Sequence, residues 1–172
     1  MYIKYRDIIY DFVVDKDGYN IVTRSKDKAN DTFLKTKYSY YKVILEDDTN
    51  IQDIYEVDFY VTYTDESETL KRAGNPSRWL VNEGRPLYKN PEIEKNELGL
   101  SLIQQSYSDD WIMDDRCSCS KIVDLFDCTD FTVVYTYTNK DGKKLDEVIV
   151  EEVKVEAEEF KMLMLKYKYE NL

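Results

Sequence analysis

From Ile8 the chain alternates apolar and polar side chains, with Ile8, Tyr10, Phe12 and Val14 on one parity and, after Asp17-Gly18, Tyr19, Ile21 and Thr23 on one parity again. A period of two marks a half-buried strand. An Asp-Gly step between two such runs marks a hairpin turn, because glycine accepts a positive φ. The pattern predicts a β-hairpin over residues 8–23. The polar stretch that follows has weak helical character, and another strand is expected near 38–45. Thr49 and Gln52 have capping-box spacing, which predicts one helical turn at 51–55. Beyond it, Val57, Phe59, Val61 and Tyr63 share one face of a predicted strand, with Glu56, Asp58, Tyr60 and Thr62 on the other.

The second half is more punctuated. Gly74-Asn75-Pro76 and Gly84-Arg85-Pro86 interrupt the pattern, and Asn90-Pro91-Glu92 reads as a helix start. Phe131, Val133 and Tyr135 alternate as a buried face. Asn139-Lys140-Asp141-Gly142 is a turn leading into a second hairpin arm at 144–155. Phe160, Leu163, Met164 and Tyr167 have helical spacing, so the tail from Ala157 to Tyr169 is expected to be a helix.

Part of this pattern recurs. Aligning 51–64 with 122–136, with one inserted residue, gives seven identities in fourteen positions, and Ser120 then falls where Thr49 does. Upstream, Gly18, Ile21, Asn30-Asp31 and Leu34 face Gly84, Leu87, Asn96-Glu97 and Leu100 at a constant offset. Strand propensity explains the shared Phe-x-Val-x-Tyr but not the preceding Ile-x-Asp. The fold class expected is therefore α+β: mostly antiparallel β-sheet with short helices, built from a tandem-duplicated unit. The expected organisation is a single compact domain over 1–172, with unit 1 at about 7–67, unit 2 at about 74–139, and a C-terminal hairpin arm and helix at 140–172. A chain of 172 residues is long enough to bury a core without metal or disulfide.

Charge changes the picture. The net charge is −11, with no histidine, and it is unevenly spread. Residues 46–68 hold nine carboxylates and no basic side chain, and 101–130 hold seven carboxylates against two basic groups. Direct binding of nucleic acid or of a negative membrane is disfavoured for a chain of this sign. The charged N-terminal residues break any signal-peptide core. Cys117, Cys119 and Cys128 are odd in number and closely spaced, as for free thiols in a reducing compartment. A cytoplasmic, intracellular location is the expectation.

Without histidine, Ser-His and Cys-His nucleophiles and histidine-bound metals are excluded. The five glycines form no phosphate-cradling motif. The three cysteines lack a fourth thiolate for a structural zinc, and the turns Glu46-Asp47-Asp48 and Asp114-Asp115 match no calcium loop. No cofactor or metal is expected. Nothing selects one catalytic carboxylate pair from 35 acidic residues, so the expectation is not an enzyme.

What remains is a non-catalytic acidic module that binds a protein partner with a basic surface. Carboxylates at i and i+2 of a strand stand about 6.8 Å apart on one face. The candidate partner-binding residues are Glu46, Asp47, Asp48, Asp53, Glu56, Asp58, Asp65, Glu66 and Glu68 in the first block, with Asp109, Asp110, Asp114, Asp115, Asp124, Asp127 and Asp130 in the second. Two such patches suit a nucleic-acid mimic that inhibits a nucleic-acid-binding protein. Small phage proteins that disarm nucleic-acid-guided defences have this character, a likeness of class without a shared motif. Arg72, Arg78, Trp79 and Arg85 form a secondary, basic-aromatic candidate patch. The alternatives are a small-ligand or metal-ion site in a cleft between the repeats, and a carboxylate-based enzyme.

Overall fold

The computed structural model describes residues 1–16, 18–64, 76–86, 98–104, 112–113 and 119–169. Its strands are β1 (Tyr2–Tyr5), β2 (Ile8–Asp15), β3 (Gly18–Thr23), β4 (Leu34–Lys35), β5 (Tyr40–Ile44), β6 (Ile51–Thr64), β7 (Pro76–Pro86), β8 (Leu98–Gln104), β9 (Ile112–Met113), β10 (Cys119–Asp124), β11 (Thr129–Lys140) and β12 (Lys143–Lys154). A helix, α1 (Ala157–Met164), closes with one wider π turn at Leu165–Tyr169. The protein is mostly antiparallel β-sheet with one short α-helix. None of its described helices is long and apolar enough to cross a membrane. The chain divides into two compact units, Met1–Val57 with Tyr135–Glu151 and Asp58–Val134 with Glu152–Glu170, bounds that differ from those of the sequence repeat.

In the first unit the strand order is β4-β5-β3-β2-β1-β6. The hairpin expected over 8–23 forms: Phe12 lies opposite Ile21 and Asp15 opposite Gly18, whose φ is +113°. Asp17 of that turn lies outside the described residues. Tyr10, Phe12 and Ile21 turn inward and join Ile3, Tyr5, Ile44, Ile51 and Ile54 in a buried core. The strand expected near 38–45 is β5. The polar stretch before it holds turns and the two-residue β4, not helix, because Leu34 and Lys35 pair with Tyr41 and Tyr40.

The predicted helical turn at 51–55 is also absent, since β6 runs unbroken from Ile51. Here β1 decides the outcome. Tyr2, Ile3 and Lys4 pair with Tyr55, Ile54 and Asp53, so the backbone groups a helix would use internally are spent on a neighbouring strand. Gln52, the would-be cap partner, bonds elsewhere. Its amide donates to Asp7 Oδ1 at 2.8 Å, and its Oε1 accepts the Asp7 N–H at 2.8 Å. Arg6 and Asp7, both at positive φ (51° and 64°), form the two-residue turn joining β1 to β2. That is the hairpin turn whose twist matches the strands, although Asn-Gly would occupy it with less strain.

In the second unit the order is β6-β7-β8-β10-β9. The prolines read as punctuation sit at the two ends of β7, Pro76 opposite Thr64 and Pro86 opposite Leu98, where a strand tolerates the missing donor. Val57, Phe59 and Val61 are buried as their shared parity predicts. The tail is helical as expected, and Phe160, Met164 and Tyr167 are its buried positions. Phe160 stands edge-on to Phe59 (centroids 5.4 Å apart, 89°) and packs against Phe131 at 5.1 Å. Asp141 (φ 52°) and Gly142 (φ 74°) form the predicted turn between β11 and β12. The helix start expected at 90–92 lies outside the described residues.

The tandem duplication is not shown by the fold. The matched segments differ locally: Ile51–Glu56 is continuous strand with a register shift at Gln52, whereas Ile122–Asp124 ends β10 and Leu125–Asp127 coils into a 3₁₀ turn. The upstream matches differ too. Gly18 opens a strand at a hairpin turn while Gly84 is inside β7, and Leu34 is exposed while Leu100 is fully buried.

Candidate functional site

Of the first acidic block, Glu46, Asp47, Asp48, Asp53 and Glu56 lie in the first unit. Three of them have structural work. Asp48 Oδ1 accepts the Asn50 N–H at 2.9 Å and the Asn50 amide at 2.7 Å, while its Oδ2 accepts the Tyr5 hydroxyl at 3.0 Å. Burial acts to raise its pKa, but these hydrogen bonds outweigh it and hold the carboxyl below the usual aspartate value. Glu46 pairs with Lys144 and accepts the Tyr19 hydroxyl. The Lys144 hydrogen bond, then its charge, holds Glu46 low. Asp53 Oδ1 accepts the Asp141 N–H at 3.0 Å and fixes the β11–β12 turn. Asp47 and Glu56 are exposed.

The depressed Asp48 carboxyl has a pH consequence with a definite sign. Its contribution is fully present above the unfolded aspartate pKa of about 3.9 and fades as pH falls through the lower folded value. Asp48→Asn is expected to cost about 1.5–3 kcal/mol at neutral pH, the scale of hydrogen bonds to a charged group. Urea unfolding of both proteins should show that gap shrinking as pH falls below the unfolded aspartate value of about 3.9. An unchanged gap at acid pH would mean the carboxylate charge does nothing there.

In the second unit lie Asp58, Asp124, Asp127 and Asp130, and here the local chemistry is distinctive. The segment Asp124-Leu125-Phe126-Asp127-Cys128-Thr129-Asp130 turns sharply. Asp124 Oδ1 accepts the Phe126 N–H at 3.0 Å, and the Cys128 N–H closes the turn on the Leu125 carbonyl at 3.1 Å. Leu125 (1% exposed) anchors the turn inward, so its neighbour Phe126 is driven outward and is 67% exposed. Asp127 and Asp130, both exposed, follow it in sequence, and the half-buried Asp124 precedes it. Asp130 holds φ +50° outside any hairpin turn, a conformation a non-glycine residue adopts only when its surroundings enforce it. The negative field is felt by Cys128. Burial first, then the charges of Asp127 and Asp124, push its thiol up to about 12. A thiol so firmly protonated suits neither a nucleophile nor a metal ligand. Cys119 is likewise buried, and Cys117 lies outside the described residues.

Asp65, Glu66, Glu68, Asp109, Asp110, Asp114, Asp115 and Arg72 also lie outside the described residues. Arg85 is placed in β7 opposite Gly99. The other two members of the basic-aromatic patch are committed to packing. Trp79 is 8% exposed and donates its indole N–H to the Tyr63 carbonyl at 3.1 Å. Arg78 forks onto Glu152 at 3.2 and 3.4 Å and lies 4.3 Å from the centroid of the Tyr60 ring.

Phe126 was hidden in the sequence because it aligns with Tyr55, which is buried. The available signal was an aromatic between carboxylates three positions apart, ahead of a β run. Comparison of the chain with protein-family models, curated proteins and solved structures finds no match.

Proposed function

We propose that this protein is a non-catalytic binding module that docks on a basic surface of another protein through the Phe126 turn. The single observation that supports this reading is a large aromatic side chain, 67% exposed, held outward on an anchored turn and followed by the exposed carboxylates Asp127 and Asp130. Exposing an aromatic ring to water is unfavourable unless a partner covers it, and buried aromatic anchors ringed by polar groups carry most of the energy of protein interfaces. Asp127 and Asp130 would steer a cationic partner and fix its orientation. A mimic of nucleic-acid phosphates is the narrower form of the proposal.

Affinity purification of the tagged protein from its host, followed by mass spectrometry, identifies the partner. Phe126→Ala is expected to weaken its binding by about 30-fold or more, the effect of losing an interface hot spot. Asp127→Lys with Asp130→Lys should weaken it most at low salt, where screening is least. Asp124 is left intact because it caps the turn. Full retention of the partner by all these variants at low salt sinks the proposal. Competition by duplex DNA or RNA for the partner separates the mimic from plain acidic docking.

A further inference from the structure

The outer strand of the β11–β12 hairpin carries a second, independent surface. Among the described residues β12 pairs as a strand with β11 alone, and no described strand takes up the backbone groups along the other edge of this twelve-residue strand. Val148 (58%), Ile149 (39%) and Val150 (56%) are exposed in succession, and Val153 after them. Successive side chains point to opposite faces, so three exposed neighbours mean that both faces are open there. Proteins blunt such edges with proline, bulges or inward charges. The run Val148-Ile149-Val150 carries neither proline nor charge.

We propose that β12 pairs antiparallel with β12 of a second copy, Val148 facing Val148 across the two-fold axis. Symmetry restricts the choices. A two-fold axis between antiparallel edges runs normal to the sheet and keeps every residue on its own face, so only residues of equal parity meet. Among those registers, centring on Val148 sets Lys144 opposite Glu152 of the second copy, twice by symmetry. It places no like charges directly opposite and overlaps residues 143–153. Centring on Glu147 sets that carboxylate against itself. Centring on Ile149 opposes Lys144 with Lys154, Asp146 with Glu152 and Glu147 with Glu151, and like charges directly opposite are destabilising. Centring on Val150 matches Asp146 with Lys154 but shortens the overlap to 146–154. Within each chain Lys144 already meets Glu46, and Glu152 meets Arg78, on side chains that are 73% and 54% exposed. Pairing of the copies joins these into an alternating row of charges.

The test uses the full chain. Light scattering during gel filtration should give twice the 20.5 kDa chain mass, and Val148→Glu should raise the dissociation constant at least tenfold, roughly, by placing like charges at the axis. Circular dichroism checks that this exposed substitution leaves the fold intact. Val148→Cys should form a disulfide-linked dimer under mild oxidation, because directly opposed Cβ atoms lie about 5 Å apart. Val150→Cys, which meets Asp146 in this register, should not. A wild-type chain of monomer mass at about 100 μM, near millimolar affinity at best, overturns the proposal. Faster crosslinking through Val150→Cys than Val148→Cys overturns the register. Neither result touches the Phe126 docking proposal, whose readout is partner capture.

Discussion

Phe160→Ala is expected to lower the unfolding free energy by about 3–5 kcal/mol, the cost of deleting a fully buried ring and leaving a cavity. Phe160 has no solvent exposure and packs on Phe59 and Phe131 at 5.4 and 5.1 Å. With Met164, which is equally buried, it is one of the side chains through which α1 packs in the second unit. Isolated helices this short are marginal in water, so α1 should open more readily when its larger anchor is lost. Chemical denaturation would show the shift in midpoint, and hydrogen exchange would show loss of protection across 157–164. A cost below about 1 kcal/mol would mean the helix is not packed as described.

The second large effect belongs to the first unit. Ile3→Ala should cost about 2–4 kcal/mol, because Ile3 is completely buried at the centre of β1, between Tyr10 of β2 and Ile54 of β6. The effect tests the strand that redirects 51–55 from helix to sheet. If β1 were ornamental, its truncation would be nearly silent in a urea titration. A double variant with Phe160→Ala adds a further check. Sites without shared partners have nearly additive costs.

What the sequence disclosed followed from strong local rules. The 8–23 hairpin, the inward face of 57–63, the Asp141-Gly142 turn and the tail helix each rest on a period or a turn residue that few alternatives share. What it concealed was set by partners distant in the chain. Thr49 and Gln52 have the right spacing for a cap, but Gln52 is claimed by Asp7, 45 residues away, and Ile54 by Ile3. Arg6-Asp7 is a hairpin turn without glycine or asparagine, so β1 left no mark. The repeat misled for a related reason. Similar residues at 51–56 and 122–127 meet different neighbours, and one copy continues as strand where the other turns and expels Phe126. Half-buried carboxylates such as Asp48 and Asp53 could not be told from exposed ones, because a turn ligand and a surface charge have the same letter.

The burial of Trp79 gives the molecule a built-in optical bias. Trp79 belongs to the second unit, and the first unit contains tyrosine as its sole strong emitter. With its indole held against the Tyr63 carbonyl, Trp79 should emit at short wavelength when native and shift red only as the second unit melts. In a Trp111→Phe background, emission excited at 295 nm, roughly where tyrosine ceases to absorb, would thus follow the second unit through Trp79 while far-ultraviolet dichroism follows both. Coincidence of the two curves is the standard sign of all-or-none unfolding, and a lag between them would reveal the order in which the units come apart.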